Sequence, residues 1–327
     1  MTAHVFGLDI GGTQLRAAIA ADTGDVIDLR RAETDPGQGP DAAVTTLVSM
    51  MDELATAQGI RVEDAGAIGA GLPGPTDPEE GLLFNPPHLP LWRNVRFAKM
   101  LEDATGVPAH LRNDAQLAAF GEFRRGAGRG SRHMLYVTVS TGIGGGIIID
   151  GKLYGGAAGT AGEVGHVVID ANGPACSCGA RGCIESLASG TAMARIAAER
   201  IAAGEASTLE GIEEVTGAAV AAAAARGDAL ALSVVSRAGH LLGLALGGLL
   251  NTLAPEVLVL GGGAMASGPA FLEPMDKAMR FQAFESTMAH VRVEMAELKD
   301  PGLTGAVEWA REFLPGRAQA TLDEIDR

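Results

Sequence analysis

Short apolar runs punctuated by glycine and polar turns alternate along this chain with stretches whose apolar positions recur every three to four residues. Residues 4–10 and 15–20 flank Gly11-Gly12-Thr13 and predict a hairpin, closed by Asp22-Thr23-Gly24-Asp25, with a third strand at 26–32. Asp41 is expected to cap a helix that carries Val44, Leu47, Val48, Met51 and Leu54 on one face. A strand at 65–72 stops at Pro73-Gly74-Pro75, and Asn94 is expected to cap a helix that ends at Gly106. A strand at 107–111 then leads through Asn113-Asp114 into a helix at 115–123.

From His133 the pattern begins again. Residues 134–140 and 144–150 repeat the strand, glycine turn, strand unit, and helices are expected at 184–201, 218–226 and 229–253, followed by a strand at 257–260. Two halves that each open with a glycine-turned hairpin and continue with β/α alternation predict a duplicated α/β fold with a cleft between its halves.

Composition narrows the class. At 327 residues the chain has room for two domains. It carries 40 acidic and 25 basic residues, a formal charge of −15, with no basic run longer than a pair, so nucleic acid is not an expected partner. A hydrophobic content of 47% supplies ample core and excludes a disordered chain. No basic, apolar and small-residue leader pattern opens the sequence. The most apolar stretch, 241–250, is too short for a membrane span and reads as a buried helix, so no membrane partner is expected. The only cysteines, Cys176, Cys178 and Cys183, lie within eight residues, a poor disulfide framework that fits a reducing cytoplasm.

Three glycine segments suit a phosphate. Asp9-Ile10-Gly11-Gly12-Thr13, Ser140-Thr141-Gly142-Ile143-Gly144-Gly145-Gly146 and Gly261-Gly262-Gly263 each follow an apolar strand, where a bare backbone can aim its N–H groups at oxygens. Asp9, at a strand end, could hold Mg²⁺. Neither a Walker A sequence nor a G-x-G-x-x-G helix start is present, which weakens the P-loop and Rossmann alternatives. His166, Cys176, Cys178 and Cys183 form H-x9-C-x-C-x4-C, the ligand count of a closed, structural Zn²⁺ site. Asp114 reads as a helix cap or a functional acid, and Glu163 and Glu185 flank the metal loop as candidate acceptors for a hydroxyl-bearing ligand.

Together Asp9-Ile-Gly-Gly-Thr13, Gly71-Leu-Pro-Gly-Pro75, Asn113-Asp114-Ala115, Thr141-Gly-Ile-Gly-Gly-Gly146, Glu163-Val-Gly-His166 and Cys176-Ser-Cys-Gly-Ala-Arg-Gly-Cys183-Ile-Glu185 resemble the ROK family of bacterial sugar kinases and sugar-responsive repressors, over residues 4 to about 310. The resemblance implies an actin-like ATPase fold of two α/β domains, residues 1–115 joined by a C-terminal helix at 302–327, and residues 116–301. It implies ATP-dependent phosphorylation of a hexose, glucose foremost, at its 6-hydroxyl, with Asp114 as the general base. Gly71, Asn113, Glu163, His166 and Glu185 would hold the sugar with Asp114. Asp9, Gly11, Gly12, Thr13, Thr141, Gly142 and Gly261 to Gly263 would surround ATP and Mg²⁺. A homodimer or homotetramer is the implied assembly. The family's repressors add a DNA-binding domain before the first strand, for which Asp9 stands too early. Gln14 departs from the pattern, since many members carry a basic residue there.

Overall fold

The computed structural model describes residues 4–35, 37–86 and 89–315; of the C-terminal helix expected at 302–327, the described helix spans Pro301–Arg311, and 316–327 lie outside the described residues. The chain divides into two compact units, residues 1–132, 146–162 and 297–327 forming the first and 133–145 and 163–296 the second.

In the first unit β1 (His4–Ile10), β2 (Gln14–Ala21) and β3 (Val26–Glu33) form an antiparallel meander, and β4 (Ala67–Leu72) and β7 (Ala109–Asn113) add in parallel, giving the order β3-β2-β1-β4-β7. A two-stranded ribbon, β5 (Thr76–Asp77) and β6 (Leu82–Leu83), lies in the connection that follows β4. Side chains alternate across the sheet. Phe6, Leu8 and Ile10 join one core with Leu47, Met51 and Leu54 of α1 (Pro40–Ala57) and Leu101 of α2 (Phe97–Thr105). Val5, Ala18 and Ala67 join Leu303, Val307 and Ala310 of α10 (Pro301–Arg311) on the other face. Asp9 shares the α10 side of β1 with Val5. Helix α3 (Asp114–Arg125) follows β7 without a break, and its Arg125 pairs at 2.6 Å with the buried Glu308 of α10.

Two expected caps fail: Asp41 lies inside the first turn of α1, which Pro40 opens after Gly39, and Asn94 takes a left-handed φ of 53° with its N–H bonded to Phe84, so that α2 begins after Arg96.

The second sheet repeats the order of the first. β8 (Met134–Val139), β9 (Ile143–Ile149) and β10 (Lys152–Leu153) are followed by β11 (Val257–Gly261) and β12 (Arg292–Met295), arranged β10-β9-β8-β11-β12. In both sheets the third, second, first, fourth and fifth strands stand side by side, the duplication expected from the two hairpins. The chain leaves the second unit within β9, after Gly145.

The second unit's helices are α4 (Ile184–Ala188), α5 (Gly190–Ala202), α6 (Gly217–Ala225), α7 (Ala229–Leu253), α8 (Pro269–Gln282) and α9 (Glu285–Met288). The single helix expected at 184–201 is thus two. Gly190 donates its N–H to Ser140, and Ser189 turns to cap the second helix by accepting from Ala192. Asp228 caps α7, which has the bounds expected and buries Leu230, Val234, Leu242 and Leu246. This helix is long and apolar enough to cross a membrane by length and composition, yet more than half of its most apolar window is buried within the protein.

Candidate active site and metal loop

In the first unit the parallel strands align their carboxyl ends, where open α/β sheets bind ligands. Asp9 lies opposite Gly71 across β1 and β4, and Leu72 lies opposite Asn113 across β4 and β7. Gly71 lies close to α3: a Cβ there would stand 3.2 Å from the Leu117 side chain, a tight contact, and 3.6 Å from the Asp114 backbone, an ordinary one. The register sets Asp9 and Gly71 level with Arg112, so that Asn113 and Asp114 follow one and two residues beyond them at the end of β7.

Asn113, not Asp114, is the cap of α3. Its Oδ1 accepts from the N–H groups of Ala115 at 2.9 Å and Gln116 at 3.1 Å, and its Nδ2 donates to Gly74 at 3.2 Å. Asp114 stands half-buried in the first turn, with Oδ1 2.8 Å from the Ala115 nitrogen. A carboxylate in that position gains from the helix dipole.

Asp9 is buried, and burial pushes its carboxyl above the usual range while Arg16 pulls it back. The hairpin register sets Arg16 directly opposite Asp9, and the two side chains form an ion pair. Arg16 also reaches Asp300 at 2.8 Å, just before α10. Sequence reasoning missed Arg16, although pairing Ile10 with Leu15 around the glycine turn would have placed it. Gly11, Gly12 and Thr13 form the turn itself, fastened by the bond from the Gly11 N–H to Gln14 at 2.9 Å and by Thr34, which bonds Gly11 and Thr13.

In the second unit, Thr141 and Gly142 form the corresponding turn. Glu185, from the first turn of α4, accepts the N–H of Ile143 at 3.0 Å, so this turn receives its carboxylate from a distant segment. Gly261 ends β11, and Gly262 and Gly263 lead into a 3₁₀ turn ending at Ser267.

His166 ends a 3₁₀ turn that begins just after Glu163. Its Nδ1 lies 3.6 Å from Cys176 Sγ, Cys178 and Cys183 sulfurs are 3.7 Å apart, and all four donor atoms lie within 4.8 Å of one another. A tetrahedral Zn²⁺ with bonds of about 2.3 Å to sulfur and 2.0–2.1 Å to nitrogen has edges of about 3.8 Å and 3.6 Å. The donor set fits the metal. Its loop is built on backbone bonds, Cys176 to Ala180 and Gly182 to Pro174, each 2.8 Å, and Gly182 at φ 69° leaves no room for a side chain beside Asp170. Burial and the neighbouring thiols push Cys183 up to about 12, whereas the Ala180 backbone lowers Cys178. His166 Nε2 faces Glu163 Oε2 at 4.0 Å. Burial raises the Glu163 carboxyl, against the pull of His166 and with a smaller push from Glu185.

Known proteins share this architecture. The ROK family matches residues 5–313. The chain is 34% identical over 307 residues to a glucokinase of Halalkalibacterium halodurans, covering 91% of this chain and 92% of that one. It is also 34% identical over 305 residues to an N-acetylmannosamine kinase of Shigella flexneri, covering 92% and 96%. The crystal structure of a ROK family glucokinase from Streptomyces griseus in complex with glucose and AMPPNP superposes with a TM-score of 0.79 at 31% identity, covering 95% of this chain and 100% of that one. The fold is that of the actin-like ATPases. Within that class, the chain belongs to the ROK family.

Proposed function

We propose that this protein is an ATP-dependent hexose kinase that converts glucose to glucose 6-phosphate. The observation that carries the reading is that three parallel strands end together, with Asp9 and Gly71 level on β1 and β4 and β7 running on into Asn113 and Asp114. One carboxylate there would serve a proton and the other a phosphate's cation. As the sugar O6 bonds the γ-phosphorus and the bond to ADP breaks, Asp114 takes the hydroxyl proton. Phosphoryl transfer asks for little more than positioning and charge neutralisation, so one base and glycine turns suffice.

Gly71, Asn113, Glu163, His166 and Glu185 would bind the remaining hydroxyls, and Gly11 to Thr13, Thr141, Gly142 and Gly261 to Gly263 the nucleotide. Asp9 would hold Mg²⁺, which supplies charge neutralisation to the phosphates. His166, Cys176, Cys178 and Cys183 would hold a structural Zn²⁺ that orders the loop bearing Glu163 and Glu185. Reduced thiols with that role fit a cytoplasmic protein.

Equal identity to a glucokinase and to an N-acetylmannosamine kinase leaves the hexose to experiment. Release of ADP from ATP and Mg²⁺, measured over glucose, mannose, fructose, N-acetylglucosamine and N-acetylmannosamine, is expected to depend on sugar and to be fastest with glucose. Sugar-independent hydrolysis would replace the kinase reading with a plain ATPase, and preference for another sugar would rename the substrate.

A further inference from the structure

Helix α3 bears more than the candidate base. Gln116, Ala119 and Glu122 recur every three residues and so share one side of the helix. Each meets a segment where the chain passes between the two units, and every one of these contacts lies inside the first unit. Gln116 Nε2 donates to the carbonyls of Gly159 at 3.0 Å and Ala161 at 2.7 Å, in the segment that ends at Gly162. Ala119 packs against Gly146, where a Cβ would collide with it. Glu122, fully buried, accepts from Glu297 at 3.2 Å and Leu298 at 2.8 Å, where the chain returns, and from Ala127 at 2.9 Å on the way to the first departure.

We propose that Gln116 is a positioning residue: it fixes the 155–162 segment and thereby sets where the next residue, Glu163, is presented to the sugar. The proposal rests on the hexose-kinase reading for the role of Glu163. The segment needs an outside hold. Four of its eight residues are glycine, and Gly156, Gly159 and Gly162 have positive φ, so ordering it costs much backbone entropy. Its one internal backbone bond runs from Ala161 to Gly155 at 3.0 Å. A carboxamide is the apt anchor because both protons of one nitrogen meet two carbonyl oxygens, which a carboxylate of the same shape cannot do. Gln116 is 2% exposed, so these bonds do not compete with bulk water, and its Oε1 accepts from no group among the described residues. The same residue lies two positions after Asp114, so the candidate base and the hold on the segment before Glu163 share one rigid helix.

The test uses the whole chain with Gln116→Met, which keeps volume and loses the donors, and Gly159→Ala, which disturbs the same segment from its own side. Hydrogen exchange at 155–162 is expected to quicken at least about tenfold in both variants, with the amides of β1, β4 and α10 unchanged. The KM for the preferred sugar is expected to rise about tenfold, as for loss of a buried hydrogen bond, with the KM for ATP within about twofold of the parent. Exchange that stays slow at 155–162, exchange that quickens through the whole first unit, or KM values for sugar and ATP that rise together would each overturn the proposal. A parent protein that turns over ATP without regard to sugar would defeat the kinase reading instead, while the exchange measurement would still decide whether Gln116 holds the segment.

Discussion

The two glycine turns occupy the same place in sheets of the same strand order, yet they obtain their carboxylates in opposite ways. In the first, Asp9 stands on the strand that makes the turn, buried and paired to Arg16 across the hairpin. In the second, Glu185 comes from a helix more than forty residues away and reaches Ile143 after the chain has passed through the cysteine loop. The first arrangement is fixed by a sheet with apolar packing on both faces. The second depends on a loop held by backbone bonds and by four clustered donors. A topology can therefore be duplicated while the source of its order is not, and the two halves should fail differently.

Asp114→Asn carries the largest expected effect. It removes the proton acceptor from the sheet-held half, and turnover should fall about 10²–10⁴-fold while the sugar Kd, read by calorimetry, stays within a few-fold. Near-normal turnover would remove Asp114 as the base.

Cys178→Ser tests the loop-held half. Zinc should drop from about one equivalent to less than half, and sugar affinity should weaken about 10–100-fold, with the melting of the first unit's sheet little altered. Protein purified without chelator that contains no zinc and still binds sugar would erase the contrast between the halves.

The helix caps give smaller and more even effects. Asp228 caps α7 by accepting from Ala231 and also receives Thr208 and Ser207, and these bonds hold its carboxyl well below the usual range. Because the unfolded chain binds this proton first, the stability Asp228 provides is complete above about pH 4, the ordinary Asp value, and is lost as pH falls through the lower folded value. Asp228→Ala should cost about 1–2 kcal/mol at pH 7, shrinking as denaturation curves are taken down through pH 4 to 2. Asn113→Ala should cost about 1 kcal/mol, a fall of roughly 2–4 °C in Tm, together with a loss of turnover as the α3 N-terminus loosens around Asp114. A cap loss that leaves turnover untouched would show that the sheet alone positions Asp114.

Much of this was legible in the chain. The glycine turns, the strand before Asn113 and the bounds of α7 follow from periodicity and punctuation, and four donors spaced H-x9-C-x-C-x4-C meet because their loop is short. The errors came where a local signal met a distant partner. Asn94 has cap chemistry, but its N–H is drawn to Phe84, and the helix at 184–201 breaks because Gly190 bonds Ser140.

The sequence by itself determined the elements, the family resemblance and the metal donor set, since each rests on interactions within a turn, a hairpin or a short loop. Only the tertiary structure decided that Arg16 also reaches Asp300, that Glu185 closes on the second turn, and that Gln116 and Glu122 hold segments remote from α3. Those pairs are separated by tens to hundreds of residues, and no periodicity records a partner chosen by how two sheets and their helices pack.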